Sequence, residues 1–171
     1  MTLRLFIPAD AGALAVGADE VASALGAAAA RQNVAIEIVR TGSRGLYWLE
    51  PMVEVQTAAG RVAYGPVTAS DAEGLLRAML ADGAHARRLG PTEEIPWLKQ
   101  QTRLTFARCG VVDPRSLEDY RAHGGYEGLE RALALGPAAT VEEVVQSGLR
   151  GRGGAGFPTG IKWRTAAQTP P

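Results

Sequence analysis

Between Ser147 and Trp163 the chain reads SGLRGRGGAGFPTGIKW, with bare backbone beside three cations, Arg150, Arg152 and Lys162, and two aromatic rings, Phe157 and Trp163. Where Cβ atoms are missing, a flat ring or a phosphate can come within hydrogen-bonding distance of successive amides. The cations suit phosphate, and Phe157 offers a stacking face. A flexible linker would carry glycines but not Phe157, Pro158, Lys162 and Trp163 with them. The chemistry that fits is flavin or nucleotide binding. Gly151, Gly153 and Gly156 satisfy G-x-G-x-x-G, but the dinucleotide fold needs a strand before that motif and an acid about 20 residues after it. Here a helical pattern comes before, and the acid's position falls beyond Pro171. No Gly-Lys-Ser/Thr follows, which excludes a Walker A loop.

Other chemically capable side chains stand apart. Cys109 is the single cysteine, which excludes an intrachain disulfide and an all-cysteine cluster held by these residues. Its setting, FARCGVV, reads as that of a buried small hydrophobe. His85 and His123 fall in no ligand spacing, and His123 precedes Gly124 and Gly125, as at a helix terminus. Trp48, Trp97 and Trp163 read as packing anchors. No catalytic residue and no metal site is assigned.

The elements that must position the glycine motif fall into three stretches. In residues 1–84, LRLFIP alternates Leu3, Leu5 and Ile7 with Arg4, Phe6 and Pro8, a strand pattern. ADEVASALGAAAARQ sets Val21, Leu25 and Ala28 or Ala29 on one helical face. VAIEIVR is a second strand, and MVEVQTAAGRVAYGPV is a hairpin turning through Ala58, Ala59 and Gly60. Ser70 and Glu73 form a capping box before a helix with Leu75, Leu76, Met79 and Leu80 on its apolar face, stopped by Gly83. This β-α-β, β-β-α order is that of a thioredoxin-like sheet with flanking helices, an α/β fold. Residues 85–115 contain three prolines and no sustained period, and are expected to be an extended connector. Residues 116–171 are helical up to the glycine motif, with Thr140 and Glu143 as a second capping box.

Composition agrees with a folded chain. Hydrophobic residues make up 46% of the 171, and the formal net charge is zero. Nothing global therefore points to nucleic acid or an anionic membrane. No run approaches the ~18 apolar residues of a membrane helix, and the start has no signal-peptide layout. A cytoplasmic protein without membrane insertion is expected.

The stretch SGLRGRGGAGFPTGIKW resembles the signature of the NADH-binding flavoprotein subunits of respiratory NADH:quinone oxidoreductases, NAD-linked hydrogenases and NAD-dependent formate dehydrogenases. The likeness extends upstream through VVDPRSLEDYRAHGGYEGLERAL. The resemblance implies FMN and NAD as cofactors, contacted by Gly151, Arg152, Gly153, Gly154, Ala155, Gly156, Phe157 and Lys162. It also implies a four-iron cluster ([4Fe-4S]) in the full-length protein. The family's second FMN segment and its carboxyl-terminal cysteines have no counterpart here, so the chain is expected to be an amino-terminal fragment, inactive alone. In SRGLYWLEP, the residues Ser43, Gly45, Tyr47 and Pro51 match the Cys-x-Gly-x-Cys…Pro spacing of thioredoxin-like two-iron ferredoxins, with both sulfur ligands replaced. The first domain is thus similar to a ferredoxin fold that has lost its cluster. That fusion most resembles the beta (diaphorase) subunits of NAD-dependent formate dehydrogenases. It implies as partners a small two-iron ferredoxin-like gamma subunit and a molybdenum-containing catalytic subunit. The alternatives are the equivalent subunit of a hydrogenase or respiratory complex, and a cluster-free docking module.

Overall fold

The computed structural model describes residues 2–169. These divide into two compact units, on either side of the boundary between His123 and Gly124.

The first unit is built on one five-stranded sheet: β1 (Leu3–Pro8), β2 (Ile36–Thr41), β3 (Val53–Thr57), β4 (Gly60–Tyr64) and β5 (Arg88–Pro91), in the order β2-β1-β3-β4-β5. β1 and β2 are parallel and in register from Leu3↔Ile36 to Pro8↔Thr41. The other neighbours are antiparallel. A parallel pair needs a crossover, supplied here by α1 (Ala11–Ala15) and α2 (Ala18–Arg31). The result is the thioredoxin-like α/β arrangement expected from the element order.

Alternation along β1 decides what each face buries. Leu3, Leu5 and Ile7 join Val53, Val55, Val62 and Tyr64 in one core, closed by Val21, Leu25, Ala28 and Ala29 of α2 and by Leu75, Leu76 and Met79 of α3 (Ala72–Leu80). The small residues of α2 let its backbone lie close to the sheet, as its narrow apolar stripe requires. Leu80, expected on the buried face of α3, is half-exposed. Ala72 and Ala78 are buried instead. The cap of this helix also differs from the expected Ser70–Glu73 box. Thr68 and Asp71 make the reciprocal pair, around a short 3-10 turn, with the Asp71 carboxylate accepting from the Thr68 amide at 2.8 Å. Glu73 is left free to pair with Arg31 at 2.8 Å.

The opposite face of the sheet carries a smaller core of Leu46, Met52, Ala63, Ile95 and Leu98. Residues read from the sequence as connector build it. They contribute β5, a 3-10 turn at Thr92–Glu94 and α4 (Pro96–Lys99). The prolines and glycine that removed any period, Gly90, Pro91 and Pro96, sit on a four-residue edge strand and at the first position of a helix, where each is tolerated. A buried ion network joins this segment to the sheet. Arg44 donates Nε to Glu54 Oε1 at 2.9 Å and one terminal nitrogen to Glu54 Oε2 at 2.8 Å, and Thr92 donates to the same carboxylate at 3.3 Å. The Arg61 guanidinium lies 3.3 Å from the Phe6 ring centroid and donates to the carbonyls of Gly110 and Val111 at 3.1 and 2.7 Å. α5 (Leu117–Ala122), capped by Ser116 through the Asp119 amide at 3.1 Å, closes the unit.

The second unit contains α6 (Glu127–Leu135), α7 (Pro137–Gln146) and α8 (Thr159–Gln168). The break between α5 and α6 falls where Gly124 and Tyr126 adopt positive φ, 77° and 67°. α7 begins earlier than a Thr140–Glu143 box would place it. Gly136 ends α6 at φ 79°, and Pro137 takes the first helical turn, which suits a residue with no amide hydrogen to leave orphaned. Thr140 instead donates its hydroxyl to the Gly136 carbonyl at 2.7 Å, and Glu143 pairs with Arg131 of α6.

Candidate functional site

The glycine motif forms the loop between α7 and α8. Its two ends are zipped as a minimal antiparallel bridge between Arg150 and Pro158. The flanking bonds are Gly151 N–H to the Phe157 carbonyl and Thr159 N–H to the Leu149 carbonyl, both 2.9 Å. Pro158 therefore occupies the pair position that exchanges no hydrogen bond, the one place in the bridge where its missing N–H costs nothing. Gly154 (φ 104°) and Gly156 (φ 60°) turn the chain in the left-handed region, which explains glycine at those two points.

The predicted residues share one short segment because they are neighbours in the sequence. Gly151, Arg152, Gly153, Gly154 and Ala155 are exposed, and a Cβ at Gly153 or Gly154 would meet nothing within 4 Å. The backbone there is open to an approaching ring. Phe157 is 51% exposed and follows directly. Lys162 lies one turn into α8, also exposed. Among the described residues Arg152 and Lys162 have no ion pair, whereas Arg131 and Arg164 are paired with Glu143 and Glu142. Hydrogen bonding to Arg131 holds the Glu143 carboxyl below its ordinary range. Two cations thus stand without ion partners, one on the loop and one in the first turn of the helix that follows it.

A residue outside the predicted set fixes where α8 leaves the loop. Gly160 is buried, and a Cβ there would lie 2.5 Å from Val145 Cα and 2.7 Å from Val145 N. Its backbone packs directly on that of α7. The signal was in the sequence as the last glycine of the motif, but only the crossing of the helices gives it a reason.

In the first unit, Ser43 is held by Glu50 and Gly45, apart from Tyr47. Ser43 Oγ donates to Glu50 Oε1 at 2.8 Å and accepts from the Gly45 amide at 2.9 Å. Met52 N–H donates to Glu50 Oε2 at 2.9 Å. Burial pushes the Glu50 carboxyl above its ordinary range, and Asp10 and Glu54 add to the rise, while the Met52 and Ser43 hydrogen bonds oppose it. Tyr47 lies on the surface, against Gly12 of α1. A cavity of about 380 Å³ lies at the carboxyl ends of β1 and β2, lined by Asp10, Asp19, Arg40 and Thr41 among others. Asp10 caps α1 with Oδ1, and its Oδ2 is buried with no hydrogen-bond partner among the described residues. No group of three metal-ligating side chains is gathered among the described residues.

Two further expectations are corrected, for the tryptophans and for Cys109. Trp48 and Trp97 pack on each other and not in the core. They meet edge to face with centroids 5.7 Å apart while 59% and 56% exposed. Trp163 is also about half exposed. Cys109 is exposed rather than buried, because the apolar run around it lies on irregular surface turns instead of in a strand. His123 does end a helix, with Nδ1 2.8 Å from the Asp119 carbonyl.

No family model matches the chain. Its curated relatives are components of NAD(P)-linked oxidoreductases. It is 57% identical over 68 residues to the NADP-reducing hydrogenase subunit HndC of Solidesulfovibrio fructosivorans, covering 40% of this chain and 14% of that one. It is 45% identical over 78 residues to the NADH-quinone oxidoreductase F subunit of Aquifex aeolicus, covering 44% and 18%. To the corresponding Escherichia coli protein it is 53% identical over 61 residues, covering 35% and 14%. The chain therefore spans less than a fifth of the length of these relatives. Among solved structures, the thioredoxin-like [2Fe-2S] ferredoxin of Aquifex aeolicus aligns at a TM-score of 0.43 and 18% identity, over 52% of this chain and 97% of that one. An NAD+-reducing [NiFe]-hydrogenase aligns at 0.41 and 18%, over 97% and 28%. No helix among the described residues is long and apolar enough to cross a membrane.

Proposed function

We propose that this chain carries the flavin- and nucleotide-facing loop of an NADH-dehydrogenase (diaphorase) module. The observation that carries the reading is the closed glycine loop, with exposed backbone from Arg152 to Ala155 and, on the loop and the helix after it, Arg152 and Lys162, which have no ion partner among the described residues. Its relatives' activities agree with this reading. When bound, FMN would supply hydride exchange with NAD(H) and one-electron transfer to iron–sulfur clusters. The chain's own part is to bind and orient. Gly151, Gly153, Gly154 and Gly156 would let the ring approach the backbone. Arg152 and Lys162 would hold phosphate, Ala155 would keep the loop wall low, and Phe157 would stack on the nicotinamide side. The joining of a ferredoxin-like first unit, with Ser43 and Tyr47 in place of sulfur ligands, to this loop favours a formate dehydrogenase as the parent complex, with a hydrogenase or a respiratory NADH:quinone oxidoreductase as the alternative. In a formate dehydrogenase the partners would be a small two-iron ferredoxin-like protein and a molybdenum-containing one.

The test uses the holoenzyme that contains this chain. Lys162→Ala removes a charge-assisted contact worth about 1.5–3 kcal/mol, so FMN should be retained about ten- to a hundredfold less tightly. Gly154→Trp fills the open space over the loop and should abolish NADH oxidation. Unchanged FMN content and turnover in both variants would falsify the assignment. A second reading, docking of a partner by the first unit, is favoured by the exposed Tyr47, Trp48 and Trp97.

A further inference from the structure

The Arg150 side chain does not reach out with the other cations. Its Nε–H donates to the Gly156 carbonyl at 2.6 Å, across the open part of the loop. This bond adds a side-chain clasp to the backbone bridge at the loop's neck. Because a peptide unit is planar and trans, a Gly156 carbonyl drawn toward Arg150 turns the Phe157 N–H the opposite way. It also sets the direction from which the half-exposed Phe157 ring departs. Gly156 stands at φ 60°, a conformation the bare residue leaves readily unless something holds it.

We infer that Arg150 is a positioning residue. It holds the peptide between Gly156 and Phe157 in one orientation, and so presets the loop for a flat, phosphate-bearing ligand, instead of contacting the phosphate through its charge. The inference rests on the flavin and nucleotide reading for its purpose, but its geometry can be tested without a ligand.

Glutamine separates clasp from charge. Its Nε2 is reached through the same number of bonds from Cα as arginine's Nε, so Arg150→Gln keeps a donor near the Gly156 carbonyl and discards the positive charge. Arg150→Met keeps the length and discards both. Arg150→Lys keeps the charge on a longer stem.

The first readout is amide hydrogen exchange at Gly151 and Thr159 in the 171-residue chain, followed by NMR. Arg150→Met should speed exchange about tenfold, the effect of losing one charge-assisted hydrogen bond, while Arg150→Gln stays within about twofold of the unsubstituted chain. The second readout is FMN affinity in the holoenzyme, where Gln should again stand near the parent and Met well below it. Two results overturn the proposal. One is equal exchange in all four proteins. The other is FMN affinity that follows charge, with Lys near the parent and Gln as weak as Met. If exchange follows the donor while the holoenzyme retains FMN equally in every variant and in Lys162→Ala, the clasp stands and the flavin assignment of the loop falls.

Discussion

Two buried charged residues, Glu54 on β3 and Arg44 in the segment after β2, set sharp expectations for single substitutions. Arg44 and Glu54 have side chains 4% exposed, and each is the other's bidentate partner, so removing one leaves Arg44 with Glu93 alone or Glu54 with its longer contacts. Glu54 also carries the Thr92 bond and lies 3.6 Å from Arg61. Arg44→Ala should destabilise the first unit by about 3 kcal/mol in urea unfolding, most of it the cost of a buried carboxylate that loses its bidentate partner and keeps only Thr92 and the more distant Arg61. Adding Glu54→Ala should recover part of that loss. Glu50 has the opposite character: burial raises its pKa, so folding favours its protonated form. The unfolded chain releases that proton first as pH rises. The stability contributed by Glu50 is therefore complete below the ordinary glutamate range and declines as pH climbs through the raised value. Glu50→Gln cannot ionise, and its advantage over the parent should grow as pH rises upward from the ordinary glutamate range. An advantage that shrinks over that rise would contradict the assigned direction.

At the scale of elements, the glycine loop depends on how α7 and α8 pack. The second unit has few buried side chains, with Leu129, Leu133, Ile161 and Trp163 all substantially exposed. The close backbone contact at Gly160 and Val145 therefore carries an unusual share of its order. Gly160→Ala places a methyl where backbone atoms already stand, and the neighbour cannot give way by rotating a side chain. Overpacking of this kind costs about 1–3 kcal/mol or more. Here it should separate the helices, lower helicity by circular dichroism and release the Thr159 amide to fast exchange. Gly153→Ala, which faces open space, should leave both measurements unchanged.

For the whole molecule, the exposed aromatic surface of the first unit is the feature that its own fold does not use. Tyr47 and Trp48 stand on the short 3-10 turn Tyr47–Leu49, and Trp97 on α4. Three aromatic side chains contribute roughly 150–250 Å² each when fully covered, too little for a large obligate interface and enough for the centre of a contact with another protein. If the docking reading holds, Trp48→Ser with Trp97→Ser should weaken association with the ferredoxin-like partner by at least about tenfold, measured by calorimetry, and leave the chain's melting temperature within a few degrees.

Local patterns in the sequence were sufficient wherever a single element decided the outcome. The alternation of Leu3, Leu5 and Ile7, the stripe on α2, the hairpin about Ala58 and Ala59, and the bare loop at Gly151–Gly156 all depend on neighbours within a few residues. Partners distant in the chain decided the rest. β5 has no alternation of its own and is a strand because β4 offers it an unpaired edge. Thr68 won the cap from Ser70 because Asp71 closes the reciprocal bond. Trp48, Trp97 and Cys109 have apolar side chains or settings but face outward, since burial is fixed by which surfaces the sheet and its coverings leave over. Arg150 reads in sequence as one more phosphate-seeking cation, and only the return of the chain at Gly156 gives it a carbonyl to hold.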